Sequence, residues 1–139
     1  MELKGNLNIT HMENDDVISV KHESCLTVNT KTNLLISLDG DGSVNIRKEG
    51  DVVSIIQNNG QCHVEGKVKV IDLFQGILHI YPGSEIGRIN KHTNLKQKQI
   101  IFEGDVDIKK YTIVQVDHEQ SAVHEIYTLA SKAKETNNG

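Results

Sequence analysis

Residues 34–66, LLISLDGDGSVNIRKEGDVVSIIQNNGQCHVEG, contain the pattern that decides the fold. A glycine repeatedly precedes two apolar residues spaced two apart, as in GSVNI from Gly42 and GQCHV from Gly60. An apolar period of two is typical of a strand with one buried face, because successive side chains point to opposite faces of a sheet. Glycine also tolerates the positive φ that tight turns require. The stretch therefore predicts short strands separated by turns.

The same unit recurs elsewhere in the chain, starting at Gly5, Gly66, Gly76 and Gly104. Further short runs rich in Val and Ile have the composition of strands. These runs are 17–20, 26–28, 34–38, 52–56, 68–73, 77–81, 100–102, 106–108 and 112–116. The sequence thus predicts an all-β protein.

The turns indicate how these strands are connected. Asp41-Gly42 and Asn59-Gly60 are dipeptides favoured in type I′ hairpin turns, and both lie between strand-like runs. We therefore predict two β-hairpins, with positive φ at Gly42 and Gly60. The cluster Asp39-Gly40-Asp41-Gly42 also resembles a calcium loop. It leads straight into a strand without the closing acidic ligand of such a loop, so a turn is the favoured interpretation.

Two architectures accommodate many short strands. The hairpin signals favour an antiparallel sandwich or barrel with one C-terminal α-helix. A β-solenoid with a C-terminal helix is the alternative, in which each strand stacks on a like strand one coil later. The steps from Gly5 to Gly42 and from Gly83 to Gly104 are too long for a regular coil of three strands. We therefore expect the antiparallel arrangement.

The C-terminal part changes to a helical period. Ala122, Ile126, Leu129 and Ala133 are spaced four, three and four residues apart, which predicts a helix over about 118–134 with one apolar face. We expect one domain, residues 1–136, and a disordered tail, 137–139. Ile126, Leu129 and Ala133 are the interface candidates, since their stripe packs either on the subunit's own sheet or on a neighbour.

The composition excludes several classes of protein. A formal charge of −4 and a pI near 5.9 give no global attraction to nucleic acid or anionic membranes. No apolar run approaches the roughly 20 residues needed to cross a bilayer, so we expect no membrane insertion. We expect a cytoplasmic protein, or one within a virion if it is viral. Cys25 and Cys62 are too few for a disulfide scaffold and are expected to be free.

The sequence contains little evidence of catalytic chemistry. Its seven histidines form no close ligand pair, and no nucleophile, phosphate-loop or dinucleotide motif is present. We therefore expect no catalytic residues, no metal and no cofactor.

The most uneven charge distribution lies in residues 87–99, which we interpret as a long surface loop. Arg88, Lys91, Lys96 and Lys98 occur there without an acidic residue and are the anion-binding candidates. This segment is the expected contact for a protein or anionic partner. An ordinary exposed loop has the same composition, and no aromatic residues are interleaved for base stacking.

One stretch carries a resemblance to a known family. VIDLFQGILHI, residues 70–80, is similar to the VID-aromatic-Gly motif of trimeric deoxyuridine triphosphatases, and GDVDI after Phe102 is similar to that family's later Gly-Asp strand. The resemblance implies a jelly-roll enzyme in which Asp72 activates water. The spacing from Asp72 to Gly76 is one residue shorter than in the family, and its phosphate-binding Ser-Gly motif is absent.

Three classes of function follow. The first is a non-enzymatic, self-associating structural or assembly module, such as a subunit of a viral or bacterial structure. The second is a pleckstrin-homology-like domain that binds a peptide or an anionic headgroup. The third is a jelly-roll enzyme resembling deoxyuridine triphosphatase. Because no catalytic constellation is evident, we favour a homo-oligomeric assembly module.

Overall fold

The structure, a computed structural model, describes residues 1–10, 17–92 and 99–116. Within these residues the chain forms thirteen short β-strands and one 3-10 helix, Ile108–Lys110. The strands are β1 (Glu2–Leu3), β2 (Asn6–Ile9), β3 (Val17–Val20), β4 (Cys25–Val28), β5 (Leu35–Leu38), β6 (Ser43–Ile46), β7 (Asp51–Gln57), β8 (Gln61–Val64), β9 (Lys67–Leu73), β10 (Ile77–Ile80), β11 (Glu85–Lys91), β12 (Ile100–Phe102) and β13 (Ile113–Gln115). The prediction of an all-β fold is confirmed for the described residues.

Successive strands alternate between two sheets. The odd-numbered strands form sheet A in the order β1-β3-β5-β7-β9-β11-β13, and the even-numbered strands form sheet B in the order β12-β10-β8-β6-β4-β2. Every pair of neighbouring strands is parallel. The molecule is therefore a parallel β-solenoid with two strands in each coil. The predicted antiparallel sandwich or barrel is wrong, and the solenoid alternative is the observed architecture.

The two predicted hairpins are also wrong. β5 and β6, which flank Asp41-Gly42, belong to different sheets, and so do β7 and β8, which flank Asn59-Gly60. A type I′ turn needs positive φ at both central residues. Among these four residues only Gly60 has it, at 81°, whereas Gly42 does not. The turns reverse the chain, but they carry it into the opposite sheet instead of back along the same one.

The core consists of side chains stacked in register across the coils. One row in sheet A contains an isoleucine from five successive strands, each at most 3% exposed. Its members are Ile18, Ile36, Ile55, Ile71 and Ile89. Burial of one such side chain contributes about 1.5–3 kcal/mol. β-branched side chains suit this position because they pack closely against their neighbours on a pleated surface. The rows thus join each coil to the next.

Glycines occupy the turns because the coils approach each other closely there. A methyl group at Gly76 would lie 2.8 Å from the backbone nitrogen of Gly60 and still closer to its carbonyl oxygen. Gly76 also has a φ of 91°. At Gly66 the obstacle is purely steric, since a methyl group would overlap the carbonyl oxygens of Arg47 and Gly50. The glycine-led units of the sequence therefore mark coil boundaries.

Three local predictions need separate comment. The predicted strand at 106–108 is wrong: these residues lead into the 3-10 helix, which Asp107 caps by accepting a hydrogen bond from the Lys109 backbone N–H. The first residues of the predicted loop 87–99, up to Lys91, belong to β11. The predicted helix over 118–134 lies outside the described residues. No helix in the described part of the chain is long and apolar enough to span a membrane.

Candidate functional site

The four predicted anion-binding residues do not form a single described loop. Arg88 and Lys91 lie on β11, and Lys96 and Lys98 lie outside the described residues. Arg88 pairs in register with half-buried Val70 on the outer face of sheet A, and its Nε donates a hydrogen bond to Asn90 Oδ1 at 2.8 Å. Lys91 pairs instead with Leu73, which is fully buried. Arg88 therefore belongs to a row on the outer face of sheet A, whereas Lys91 belongs to a row whose member on β9 is buried in the core.

Asp72 has structural partners on the outer face of sheet A. Its Oδ1 accepts a hydrogen bond from Asn90 Nδ2 at 3.0 Å and lies 2.8 Å from His92 Nε2. The ring of Phe74 stacks on His92 with a centroid distance of 4.3 Å. Parallel sheets also differ from the antiparallel jelly roll of deoxyuridine triphosphatases. The fold that the resemblance implied is therefore wrong.

A ladder of polar side chains crosses the outer face of sheet B. The rings of His63 and His79 stack with a centroid distance of 4.2 Å. His63 Nδ1 lies 2.8 Å from the Tyr81 hydroxyl, and His79 lies between Glu103 Oε1 and Gln61 Oε1, each at 2.8 Å. A weak sign of this ladder is present in the sequence, because His63 and His79 occupy the same place in two of the glycine-led units.

The ladder changes the acid–base behaviour of two of its members. Burial lowers the pKa of His63 below its usual 6.5, and the adjacent His79 lowers it further. Glu103 and Glu65 oppose this shift. Burial also raises the pKa of Tyr81 above 10.0, with Glu103 as the second cause. Neutral imidazole and phenol are thereby favoured, so the ladder suits hydrogen bonding between coils.

Asp41, from the acidic-glycine cluster, stabilises a neighbouring turn. Its Oδ1 accepts a hydrogen bond at 2.8 Å from the backbone N–H of Glu23. Glu23 needs such support because its φ is +61°, a conformation that is costly for a residue with a Cβ. Across residues 1–10, 17–92 and 99–116, no group of three or more His, Cys, Asp or Glu side chains is placed to hold a metal ion.

The two cysteines are free and occupy different environments. Cys25 is half-buried on the outer face of β4, where Asn45 Nδ2 donates to its Sγ at 3.3 Å. Cys62 is fully buried in the core, and burial raises the pKa of its thiol to about 12. A thiol that stays protonated is a poor nucleophile. Cys62 is therefore a core residue by its chemistry.

The C-terminal end of the solenoid differs from the interior in its apolar exposure. Ile113 on β13 pairs with Ile89 and so continues the isoleucine row, yet it is 38% exposed. All three residues of β12 are likewise only partly buried, although Ile100 and Phe102 continue rows of sheet B that are buried in β10. The sequence pattern identified these residues as strand residues but gave no sign of their terminal position.

The N-terminal end offers a second apolar residue near the same row. Met1 is 59% exposed, and its backbone is held by β3: its amino group donates to Val17 O, and its carbonyl accepts from the Ser19 N–H, both at 2.7 Å. These two bonds place Met1 beside Ile18, the first residue of the isoleucine row.

The interface candidates Ile126, Leu129 and Ala133 lie outside the described residues. Comparisons with protein families, curated proteins and solved structures find no match to this chain.

Proposed function

We propose that this chain is a non-enzymatic structural module that self-associates head to tail through the two ends of its solenoid. The observation that carries the proposal is the partial exposure of Ile113, a residue whose row is otherwise buried. Among the described residues no coil follows β13, so this apolar side chain is placed to receive one. A second copy of the chain would supply that coil.

The direction of the strands supports a head-to-tail contact. Because neighbouring strands are parallel throughout, β13 of one copy can pair with β1 of the next copy without changing the pattern of sheet A. In this contact Met1 of one copy would approach Ile113 of the other. Unpaired strand edges are templates for such pairing. A contact between two different surfaces leaves a free end on each copy and therefore produces open chains.

The other two classes of function have less support. A pleckstrin-homology-like domain and a jelly-roll enzyme both require antiparallel sheets, whereas the described strands are parallel. The solenoid still leaves room for a binding role on its outer faces, where Val17, Leu35 and Ile56 are also exposed. We favour the end row because Ile113 continues a row that is buried in the preceding described coils.

Sedimentation velocity and negative-stain electron microscopy of the full chain test the proposal. At about 100 μM, well above the dissociation constant of a specific micromolar complex, we expect species larger than a monomer and short filaments. Ile113→Asp should return the protein to monomers, because the substitution places a charge in the contact. Leu35→Asp is the matched control, since Leu35 is 43% exposed on the outer face of β5, an interior strand of sheet A.

The outcomes separate the ends from the faces. A wild-type chain that stays monomeric at about 100 μM would contradict self-association. If Leu35→Asp lost assembly while Ile113→Asp assembled normally, the contact would instead lie on the outer face of sheet A. Circular dichroism of both variants checks that each retains the β-fold.

A further inference from the structure

A groove of about 660 Å³ lies between the outer face of sheet A and the segment that contains the 3-10 helix. Its size falls within the range of small-molecule sites. One side consists of residues from β9 and β11, and the other includes Lys110 and Tyr111. The groove is distinct from the exposed isoleucine row and from the histidine ladder on sheet B.

Two glycines and a tyrosine shape this groove. A methyl group at Gly87 would lie 2.5 Å from the Lys69 carbonyl oxygen, so this position of β11 has no room for a side chain. Gly83 lies in the turn before β11 and has a φ of 85°. Tyr111 closes the far side, where its hydroxyl lies 2.8 Å from Ser84 Oγ and 3.0 Å from the Ser84 carbonyl oxygen. Together these residues keep the groove open and hold its two sides together.

The charges along the groove are compensated on only one side. Lys31, Asp51, Lys67 and Glu85 pair in register across successive strands, so that positive and negative side chains alternate. Lys67 Nζ lies 3.3 Å from Glu85 Oε2. Lys69 and Lys110 also line the groove, and neither forms an ion pair with another described residue. The groove lining thus contains three lysines and two carboxylates, an excess of one positive charge, and Lys69 and Lys110 are its lysines without an ion pair among the described residues.

We propose that this groove binds a small organic phosphate. The phosphate, which carries close to two negative charges near neutral pH, lies between Lys69 and Lys110, and the organic part packs on the Tyr111 ring. Two flexible ammonium donors suit a phosphate, which accepts hydrogen bonds from several directions. The net charge of −4 gives no general attraction for anions, so binding depends on these local residues.

Calorimetric titration of the full chain with glycerol 1-phosphate tests this inference. We expect saturable binding with a dissociation constant of about 0.1–1 mM, weakened at high ionic strength. Lys69→Gln and Lys110→Gln should each weaken binding about fivefold, since each removes one of the two ammonium groups assigned to the phosphate. Lys4→Gln is the control: Lys4 is exposed near the N-terminus and does not line the groove, yet its loss changes the net charge equally.

The controls make each outcome decisive. An absence of saturable binding at about 10 mM ligand would overturn the proposal. So would an equal loss of affinity in Lys4→Gln, because binding would then reflect net charge. Succinate that binds as tightly as the phosphate would overturn the assignment of ligand class. Amide chemical shifts of Gly83 and Gly87 should move on addition of ligand, and shifts confined to other coils would place the ligand elsewhere.

Discussion

The central coils and the C-terminal coil are built from the same strand pattern but differ in how much of it is buried. Ile55 and Ile71, in the middle of the solenoid, are fully buried, whereas Ile113 in the same row is 38% exposed. Among the described residues, an interior coil has a neighbour on both sides, whereas the coil that contains Ile113 has one. In a solenoid, therefore, the contribution of a residue depends on its coil as well as on its side chain.

The largest difference between the central and C-terminal coils should appear when isoleucine side chains of the shared row are shortened to alanine. Ile55→Ala should lower the free energy of unfolding by about 3 kcal/mol, because it leaves a cavity between two packed coils. Ile113→Ala should cost about 1 kcal/mol or less in monomeric protein, since solvent already reaches the side chain. Urea unfolding at low protein concentration measures both. Equal losses would mean that the C-terminal coil is as well packed as the centre.

A smaller difference in the free energy of unfolding should separate alanine substitutions at two glycines that both have a positive φ. Gly76→Ala should cost at least about 2 kcal/mol, because the methyl group meets the backbone of Gly60 in addition to the conformational strain. Gly83→Ala should cost about 1 kcal/mol, since its φ is 85° but no atom lies within 4 Å of the added methyl group. The two urea midpoints give the comparison. If they coincide, close stacking of the turns is not what requires glycine.

The smallest effect concerns pH and the ladder that links β8 to the last coil through Glu103. The pKa of His63 is lower in the folded chain than its ordinary 6.5, so the unfolded chain binds the proton more readily. Neutral His63 therefore makes its full contribution to the free energy of unfolding above about pH 6.5, and this contribution is lost as the pH falls below this value toward the pKa of the folded chain. We expect His63→Gln to flatten the decrease in stability between about pH 7 and pH 5.

The matched control for the pH measurement is His22→Gln, which replaces an exposed histidine in the turn before β4. This variant measures what the loss of an exposed histidine does to the slope of unfolding free energy against pH. If the His63 variant keeps the wild-type slope, the stacked histidines do not contribute to acid sensitivity. Urea unfolding at several pH values supplies both slopes.

Local pattern predicted the strands well. The predicted runs 17–20, 68–73 and 100–102 correspond closely to β3, β9 and β12. Alternation also identified buried positions such as Val44 and Ile46. It did not anticipate Gln57, a fully buried amide in a core row, whose Nε2 donates to the carbonyl oxygens of Gly60 and Ile77. Those acceptors belong to a turn and to the next coil, which the local sequence does not specify.

The choice of partners for each strand explains the wrong architecture. A coil of about 18 residues contains two strands and two turns. Glycines therefore recur about every half coil, and their spacing does not reveal the 18-residue repeat. Asp41-Gly42 signals a reversal of the chain in either fold, but it does not specify whether the next strand returns to the same sheet. The candidate sites depend on the same information, because Lys69 and Lys110 are brought to one groove only by coil stacking.

The sequence by itself determined the β-class, the approximate strand positions and the side of each strand that is buried, because these depend on the conformational preferences and alternation of adjacent residues. The tertiary structure alone decided that the strands are parallel, that they alternate between two sheets, and that Ile113 lies on the last of the described coils. These features follow from contacts between residues about one coil apart, where close packing of side-chain rows and turns selects one partner for each strand.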